Sequence, residues 1–246
     1  MAHFYLPSEE WTSDQALVLR GDEARHCQQV LRHGVGDVIQ LMDGRGRVAS
    51  GPITRVAKQE VEIKVSDLRQ HPAPAAPVTL VQAIPKGEGM DWIIEKAVEL
   101  GVQRILPLCS ERTIVRLTGE QAEKKQQRWQ RRVIEACKQC GQLWMPELLL
   151  PQSLEAALAT TATAPTRLIA SLELGSDWIQ NQALAFRGEV ALAIGPEGDF
   201  SPAEYQRFRD VGWKPVHLGP LVLRCETAAI AAVAVLQNHL ASRSKP

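Results

Sequence analysis

The stretch IGPEGDFSPAEY, residues 194–205, links an apolar run to a polar helix. Residues 189–194 are almost continuously apolar, which is typical of a strand buried on both faces. Ser201, Pro202 and Glu204 predict a helix start, with a serine cap, a proline in the first turn and a capping box. Residues 195–200 are therefore expected at the carboxyl end of a parallel strand, where open α/β sheets bind ligands.

A second stretch, LGPLVLRCETA at residues 218–228, has the same layout of strand, glycine-proline turn and helix start. Two such loops at neighbouring strand ends can enclose one ligand. Arg224 stands between an apolar triplet and the helix start near Glu226. It is a candidate ligand contact, and the alternatives are a salt bridge to Glu226 or a helix cap.

The acids of the first loop narrow the class of ligand. Glu197 and Asp199 would repel a phosphate, so a neutral or cationic ligand fits the loop better. The chain has no GxxxxGK[ST] stretch and no GxGxxG after the first strand of the α/β region, which disfavours a P-loop NTPase and a dinucleotide-binding oxidoreductase. The six histidines form no recognisable Ser-His-Asp set.

Composition points to an intracellular protein without a global attraction for nucleic acid. The 246 residues include 28 basic and 28 acidic side chains, so any affinity for nucleic acid must come from local patches. We find no signal peptide and no membrane-spanning run, and the five cysteines indicate reduced thiols in the cytoplasm. Cys137 and Cys140 form a CxxC pair inside a helical pattern, without a second pair, and we predict no metal site.

The order of predicted elements divides the chain into two domains. Residues 1–72 form a small β-rich domain, residues 73–77 form a proline-rich linker, and residues 78–246 form an α/β domain. In the α/β domain strands and helices alternate, which predicts a parallel sheet covered on both faces. The predicted strands and helices lie at residues 78–84, 90–100, 104–108, 121–141, 153–158, 168–172, 189–194, 214–218 and 226–240. The last of these helices is apolar nearly all round, so we expect it to be buried on more than one side.

Several motifs in order resemble those of the SPOUT-class RNA methyltransferases, specifically the ribosomal RNA uridine-N3 methyltransferases of the RsmE type. They are HCQQVLR (26–32), GD (36–37), DGRG (43–46), QAIPKG (82–87), EKAVELGV (95–102), RW (128–129), EACKQCGQ (135–142), IGPEGDF (194–200) and LGPLVLRCETA (218–228). The resemblance covers nearly the whole chain. It implies an N-terminal PUA-like β-barrel that binds RNA, a catalytic α/β domain with a deep C-terminal trefoil knot, and a homodimer.

The resemblance also implies S-adenosylmethionine as the cofactor, bound in the knot against the two glycine loops. The cofactor-binding residues carried over to this chain are Leu172, Gly195, Glu197, Gly198, Leu218, Gly219 and Leu223. A sulfonium cation beside neutral adenosine suits loops with bare backbone and an acid. Glu197 either contributes favourable potential or only holds the shape of its loop.

The catalytic candidates are Arg224 and Glu226. Methylation at uracil N3 requires loss of a weakly acidic proton, and a permanently charged arginine can stabilise the anion that results. Glu226 is a candidate base, although an acid there can also serve the positive end of the last helix. The chain departs from the family pattern at Asp199, where a glycine is frequent, and at Gln142, where an arginine is usual.

Basic residues predict the RNA contacts. Residues 111–138 hold eight Lys or Arg against four acids, which is a local positive excess in a neutral chain, although such a run is often only a solvated helix face. The predicted RNA-binding residues are Arg25, Arg32, Arg45, Lys86, Arg112, Arg116, Lys124, Arg128 and Arg132. The expected partner is small-subunit ribosomal RNA, either free or in the assembled subunit. A ribose 2′-O-methyltransferase of the same class and a non-catalytic ribosome-assembly factor are the alternatives.

Overall fold

The computed structural model describes residues 3–75, 77–113, 119–173, 175–183 and 188–243. The chain divides into two compact units. The first unit comprises Met1–Ala73 and Cys137–Met145, and the second comprises Pro74–Ala136 and Pro146–Pro246. The sequence did not indicate that residues 137–145, which are the last turn of a long helix and the segment after it, belong to the first unit.

The first unit is built around one mostly antiparallel sheet. Its elements are β1 (His3–Tyr5), β2 (Ala16–Arg20), α1 (Gly21–Arg25), β3 (Val38–Met42), β4 (Arg47–Ala57), β5 (Glu60–Lys64) and β6 (Asp67–Gln70). The strand order is β1-β3-β4-β5-β2, and β6 pairs with β4. Alternating side chains of β2, β3 and β5 form its core together with Phe4 and Trp11. Apolar and polar residues alternate along β5, and Val61 and Ile63 are accordingly buried.

The short helical segment that starts at Gly21 changes its winding along its length. After α1, residues His26–Val30 continue as a π-helical turn, and Arg32 takes a positive φ of 57°. The buried side chains Ala24 and Cys27 face the core of the first unit. The wider turn places Val30 and Leu31 at the surface, where both are exposed.

The second unit contains a sheet of parallel strands. Its strands are β7 (Val78–Ala83), β8 (Arg104–Cys109), β9 (Glu147–Leu148), β10 (Gln152–Ser153), β11 (Thr166–Ala170), β12 (Asp177–Trp178), β13 (Val190–Ile194) and β14 (Lys214–His217). The order is β10-β8-β7-β13-β11-β14-β12, with β9 paired to β8. The α/β class with a parallel sheet is thus confirmed. The sequence did not predict the short edge strands β9, β10 and β12.

Helices cover this sheet. They are α2 (Gly89–Glu99), α3 (Gly119–Cys140), α4 (Leu154–Thr160), α5 (Ile179–Ala183), α6 (Pro202–Asp210) and α7 (Cys225–Arg243). Leu158 of α4 and Phe208 of α6 share one core cluster with alternate residues of the central strands. The last helix, α7, packs on β7 and β13 and against α2 and α5. Its side chains Ala229, Ala232, Val233 and Leu236 are buried, as the apolar pattern predicts.

Two helix boundaries follow directly from local sequence. Helix α6 begins with the predicted capping box: the Ser201 hydroxyl accepts from the Glu204 amide, and the Glu204 carboxylate accepts from the Ser201 amide. Helix α2 ends at Gly101, whose φ is 81° and whose amide bonds the Val98 carbonyl. Within the described residues, no helix combines the length and apolarity that crossing a bilayer requires.

Candidate functional site

A cavity of about 450 Å³ opens at the carboxyl ends of the neighbouring strands β11, β13 and β14. The loops after these three strands supply its walls, together with the first turn of α7. Six of the seven predicted cofactor-binding residues line this cavity, and so do both catalytic candidates. They are Leu172, Gly195, Glu197, Leu218, Gly219, Leu223, Arg224 and Glu226.

The loop after β13 is held by Asp199. This residue has a positive φ of 61°, and its Oδ1 accepts from the Phe200 amide and the Tyr205 hydroxyl, both at 2.8 Å. A Cβ on Gly195 would lie 3.1 Å from the same oxygen, so glycine permits this close approach. The left-handed conformation explains in physical terms why a glycine is frequent at position 199 in the resembling family. Aspartate tolerates that conformation and adds two hydrogen bonds.

Glu197 joins two loops of the site. Its Oε1 accepts a hydrogen bond of 2.8 Å from the backbone amide of Lys86, in the loop between β7 and α2. This contact is the one expected if Glu197 holds the shape of its loop. The same carboxylate lines the cavity, so its negative charge also acts on any bound ligand.

Gly198 lies outside the cavity lining, unlike the other predicted cofactor residues. Its carbonyl accepts a hydrogen bond of 2.6 Å from the Arg112 guanidinium. Arg112, predicted to contact RNA phosphates, therefore braces the loop after β13 from its outer side. The neighbouring Glu111 amide donates to Glu204 at 2.9 Å, which ties the same two segments a second time.

The loop after β14 presents Arg224. The arginine is exposed, and its guanidinium makes no ion pair or hydrogen bond with another residue that the structure describes. The salt bridge to Glu226 that the sequence left open is therefore not formed. The Arg224 carbonyl accepts from the Ala228 amide at 2.8 Å, which places Arg224 at the start of α7. Leu221 and Val222 beside it are 73% and 77% exposed and form an apolar rim of the cavity.

Cys225 is a cavity residue that the sequence analysis did not select. The thiol donates to Glu226 Oε2 at 3.3 Å. Burial, and then the contact with Glu226, raise the pKa of Cys225 from 9.0 to about 12, so the thiol stays protonated at neutral pH. It acts as a hydrogen-bond donor to Glu226 rather than as a nucleophile.

The strand ends contribute two further residues that sequence reasoning missed. Ser171 follows β11, and its hydroxyl accepts from the Glu173 amide at 3.0 Å, which shapes the turn carrying Leu172. His217 ends β14, lines the cavity and stacks on Trp178 with ring centroids 4.0 Å apart. Their position at the carboxyl ends of parallel strands was the available signal.

Among the residues that the structure describes, the basic side chains predicted to bind RNA are exposed, but several pair with acids of the protein. In the first unit, Arg25 pairs with Asp22 at 3.2 Å, while Arg32 and Arg45 are exposed. In the second unit, Lys124 pairs with Glu120 at 2.6 Å. A phosphate would have to compete with these acids, although exposed pairs of this kind are weak.

In the second unit, the carboxylate of Asp91 lies close to two more of the predicted RNA-binding side chains. Arg128 donates to its carboxylate, and Arg132 lies 3.7 Å from it. The buried Trp129 indole donates to the same carboxylate at 3.1 Å, so Asp91 anchors α3 to α2. The Lys86 side chain is exposed. The remaining predicted RNA contact, Arg116, lies outside the described residues.

Comparisons with known proteins cover nearly the whole chain. A family model described as an RNA methyltransferase domain matches residues 71–237, and one described as an RNA methyltransferase PUA domain matches residues 19–66. The ribosomal RNA small subunit methyltransferase E of Synechocystis is 32% identical, and the match spans 98% of this chain and 79% of that protein. The corresponding protein of Bacillus subtilis is 28% identical, with 89% and 88% covered.

Solved structures agree with these matches. A protein of Legionella pneumophila, solved with bound S-adenosylmethionine, is 35% identical with a TM-score of 0.88, and 97% of each chain is covered. The ribosomal RNA small subunit methyltransferase E of Neisseria gonorrhoeae, also bound to S-adenosylmethionine, is 34% identical with a TM-score of 0.84 and the same coverage. The PUA assignment of the N-terminal region is confirmed by the family model. The chain therefore belongs to the RNA methyltransferase family, among the ribosomal RNA small subunit methyltransferases E.

Proposed function

We propose that this protein transfers a methyl group from S-adenosylmethionine to N3 of a specific uridine in small-subunit ribosomal RNA. The observation that carries the proposal is the cavity between the two glycine loops, with the Arg224 guanidinium at its wall and without a partner in the described part of the chain. Relatives solved with S-adenosylmethionine, and the family to which the chain belongs, support it.

The cavity suits the cofactor in size and charge. Its volume of about 450 Å³ lies within the usual range for small-molecule sites, about 300–1,000 Å³. Glu197, Asp199 and Glu226 give the lining a negative character, which favours a sulfonium cation and disfavours a phosphate. The aliphatic side chains Leu172, Leu218 and Leu223 offer apolar surface for the adenosine. The predicted role of Gly198 in this site is indirect, through the Arg112 contact.

The chemical step requires that uracil N3 lose its proton, to a general base or to solvent, and that the resulting anion be stabilised. S-adenosylmethionine supplies an electrophilic methyl group, and the N3–C bond forms as the C–S bond breaks. The planar guanidinium of Arg224 can hydrogen-bond a uracil carbonyl oxygen onto which the N3 anion spreads. The walls of the cavity hold the reacting atoms in line, which by itself contributes a large part of the rate.

The proposal also covers the RNA-binding surface, the form of the substrate, the location, the oligomeric state and the knot. The exposed cations of the PUA domain and of α3 bind RNA phosphates, and the substrate is free ribosomal RNA or the assembled small subunit. The enzyme works in the cytoplasm as a homodimer, and the chain around the cavity forms the trefoil knot that the resemblance implies. Support for these points comes from the family and from the exposed basic residues.

A methyl-transfer assay tests the proposal. Purified protein is incubated with tritium-labelled S-adenosylmethionine and either small-subunit ribosomal RNA or small subunits from a strain that lacks the gene. Digestion to nucleosides and mass mapping should show one N3-methyluridine. A 2′-O-methyl nucleoside would support the alternative enzyme, and RNA binding without any methyl transfer would support the assembly factor.

A further inference from the structure

The side chain of Asp199 contributes to the wall of the cavity near the carboxyl ends of β13 and β11. Ala170 and Ser171, at the end of β11, line the same part of the cavity. Oδ1 of Asp199 accepts from the Phe200 amide and the Tyr205 hydroxyl, both at 2.8 Å. Oδ2 makes no hydrogen bond or ion pair with another residue that the structure describes. One oxygen of the carboxylate is therefore fixed to the protein, and the other is available to a ligand.

Tyr205 holds this carboxylate from the interior of the second unit. Its side chain is 5% exposed, belongs to the core cluster between α6 and the central strands, and packs edge-on against Phe200 with ring centroids 5.8 Å apart. The hydroxyl also lies 3.3 Å from the Ala170 carbonyl oxygen. Burial, and then the contact with Asp199, raise the pKa of the Tyr205 hydroxyl, so it stays protonated and donates at neutral pH. The Asp199 carboxylate is thus bound to a group that close packing keeps in place.

The backbone at Asp199 has a conformation that a side chain makes unfavourable. Its φ is 61°, and among the non-glycine residues that the structure describes only Arg32 shares a positive φ. A glycine would satisfy this backbone conformation without strain and without a charge. The loop conformation by itself therefore does not require the carboxylate that Asp199 adds to the cavity wall.

A fixed negative charge distinguishes the cofactor from the molecule that remains after methyl transfer. S-adenosylmethionine carries a sulfonium cation, whereas S-adenosylhomocysteine carries a neutral thioether at the same place and is otherwise alike except for the methyl group. A carboxylate in a partly dehydrated cavity attracts the cation and not the thioether. Glu197 also lines the cavity but is exposed, so its charge is screened more strongly than that of the half-buried Asp199.

We propose that Asp199 is a specificity-determining residue that makes the cavity bind S-adenosylmethionine in preference to S-adenosylhomocysteine. Tyr205 is the positioning residue that holds the Asp199 carboxylate at the cavity wall. The preference favours release of S-adenosylhomocysteine after each transfer. The inference rests on the proposed function, and it gives a role to two residues that the sequence analysis did not select for the site.

Asp199→Asn tests the proposal because it removes the charge and keeps the shape. Asparagine tolerates the left-handed conformation, and its side-chain oxygen can still accept from the Phe200 amide and the Tyr205 hydroxyl, so the fold should persist, as a thermal melt would check. By calorimetry, the dissociation constant for S-adenosylmethionine should rise about fivefold, while that for S-adenosylhomocysteine stays within about twofold of wild type. An analogue with an ammonium group in place of the sulfonium should lose affinity in parallel with S-adenosylmethionine.

Two further variants supply the control and test the positioning residue. Asp210→Asn makes the same acid-to-amide change at the exposed end of α6, outside the cavity lining, so both dissociation constants should stay within about twofold of wild type. Tyr205→Phe keeps the carboxylate but removes one of its two hydrogen bonds. The ratio of the two dissociation constants should then shift in the same direction as in Asp199→Asn, by a smaller factor.

The possible outcomes separate this proposal from the proposed function. Equal losses of affinity for both ligands in Asp199→Asn, or no loss for either, would overturn the specificity role, since a residue that only shapes its loop cannot tell the two ligands apart by charge. A wild-type ratio in Tyr205→Phe would overturn the positioning role of Tyr205. A wild-type protein that binds S-adenosylmethionine but methylates no ribosomal RNA would overturn the proposed function, while the ratio of dissociation constants, measured without RNA, would still decide the role of Asp199.

Discussion

At the scale of single residues, the charged side chains of the site differ in whether they have hydrogen-bond partners within the protein. Asp199 accepts hydrogen bonds from the Phe200 amide and the Tyr205 hydroxyl, and Glu197 accepts one from the Lys86 amide. These hydrogen bonds shape the loop after β13. Arg224 differs, since its guanidinium has no partner among the described residues. An exposed, unpaired cation at a cavity wall costs little in the folded protein and is available to a ligand.

Arg224→Ala should separate binding from turnover. Because the guanidinium stabilises charge that develops only during the reaction, we expect kcat to fall on the order of a hundredfold or more. Calorimetry should show little change in S-adenosylmethionine affinity, and the free energy of unfolding should change by less than about 0.5 kcal/mol. Arg224→Lys, which keeps the charge but loses the planar fork, should recover only part of the activity. Wild-type turnover in Arg224→Ala would contradict the assigned role.

The buried thiols predict a stability change in alkali. Burial, and then the charge of Cys140, raise the pKa of Cys137 from 9.0 to about 12. The folded protein therefore binds this proton more tightly than the unfolded chain does. The stability that results is fully present below pH 9 and is lost as pH rises toward 12, at up to about 1.4 kcal/mol per pH unit.

Urea unfolding between pH 8 and pH 11 measures this loss. Cys137→Ala should make the decline in the free energy of unfolding less steep, because one of the thiols with a raised pKa is gone. Cys140→Ala is the matched control: its thiol is exposed, and the alkaline decline should remain nearly that of wild type. An identical slope in all three proteins would contradict the prediction.

At the scale of elements, one side chain of α6, Glu204, takes part in both a local helix cap and a tertiary contact. Ser201 and Glu204 form the capping box that the sequence predicts. The Glu204 carboxylate also accepts from the Glu111 amide at 2.9 Å and is 2% exposed, so it joins the start of α6 to the segment after β8. Local sequence revealed the cap, but the second partner lies 93 residues away.

Replacing Ser201 and replacing Glu204 should therefore lower the free energy of unfolding by different amounts. Ser201→Ala loses one capping bond and should lower the free energy of unfolding by about 1 kcal/mol. Glu204→Ala leaves the buried Ser201 amide and the part-buried Glu111 amide without an acceptor and should cost about 2–4 kcal/mol. Chemical denaturation of both variants checks the difference, with Glu123→Ala on the exposed face of α3 as a control. Equal losses would show that the Glu111 contact contributes nothing.

At the scale of the whole molecule, charge is balanced overall but uneven along the chain. The net charge is zero, whereas residues 111–138 carry an excess of four positive charges. Several of these cations pair with acids such as Glu120 and Asp91. Association with RNA must therefore exchange weak internal pairs and bound counterions for phosphate contacts.

This exchange predicts a strong dependence of RNA affinity on salt. Raising the salt concentration from about 50 to 200 mM should weaken binding by at least tenfold, because several phosphates are neutralised. Lys124→Ala should lower the slope of log affinity against log salt by about one unit if Lys124 binds a phosphate. Glu9→Gln, which also changes one charge but lies in the first unit, is the control for the slope measured with Lys124→Ala. Affinity that stays constant with salt would contradict the predicted RNA surface.

The sequence alone determined the α/β order, the two glycine loops and the helix caps, because hydrophobic periodicity and turn residues act over short distances. It also placed the site at the carboxyl ends of parallel strands, where Gly195 and Gly219 are found. Tertiary structure decided which strands are neighbours, and hence that Ser171, His217 and Cys225 share the cavity. It also decided that Arg112 braces Gly198. These two residues are 86 positions apart, and contacts over such a separation arise from strand order and packing, which leave no local pattern.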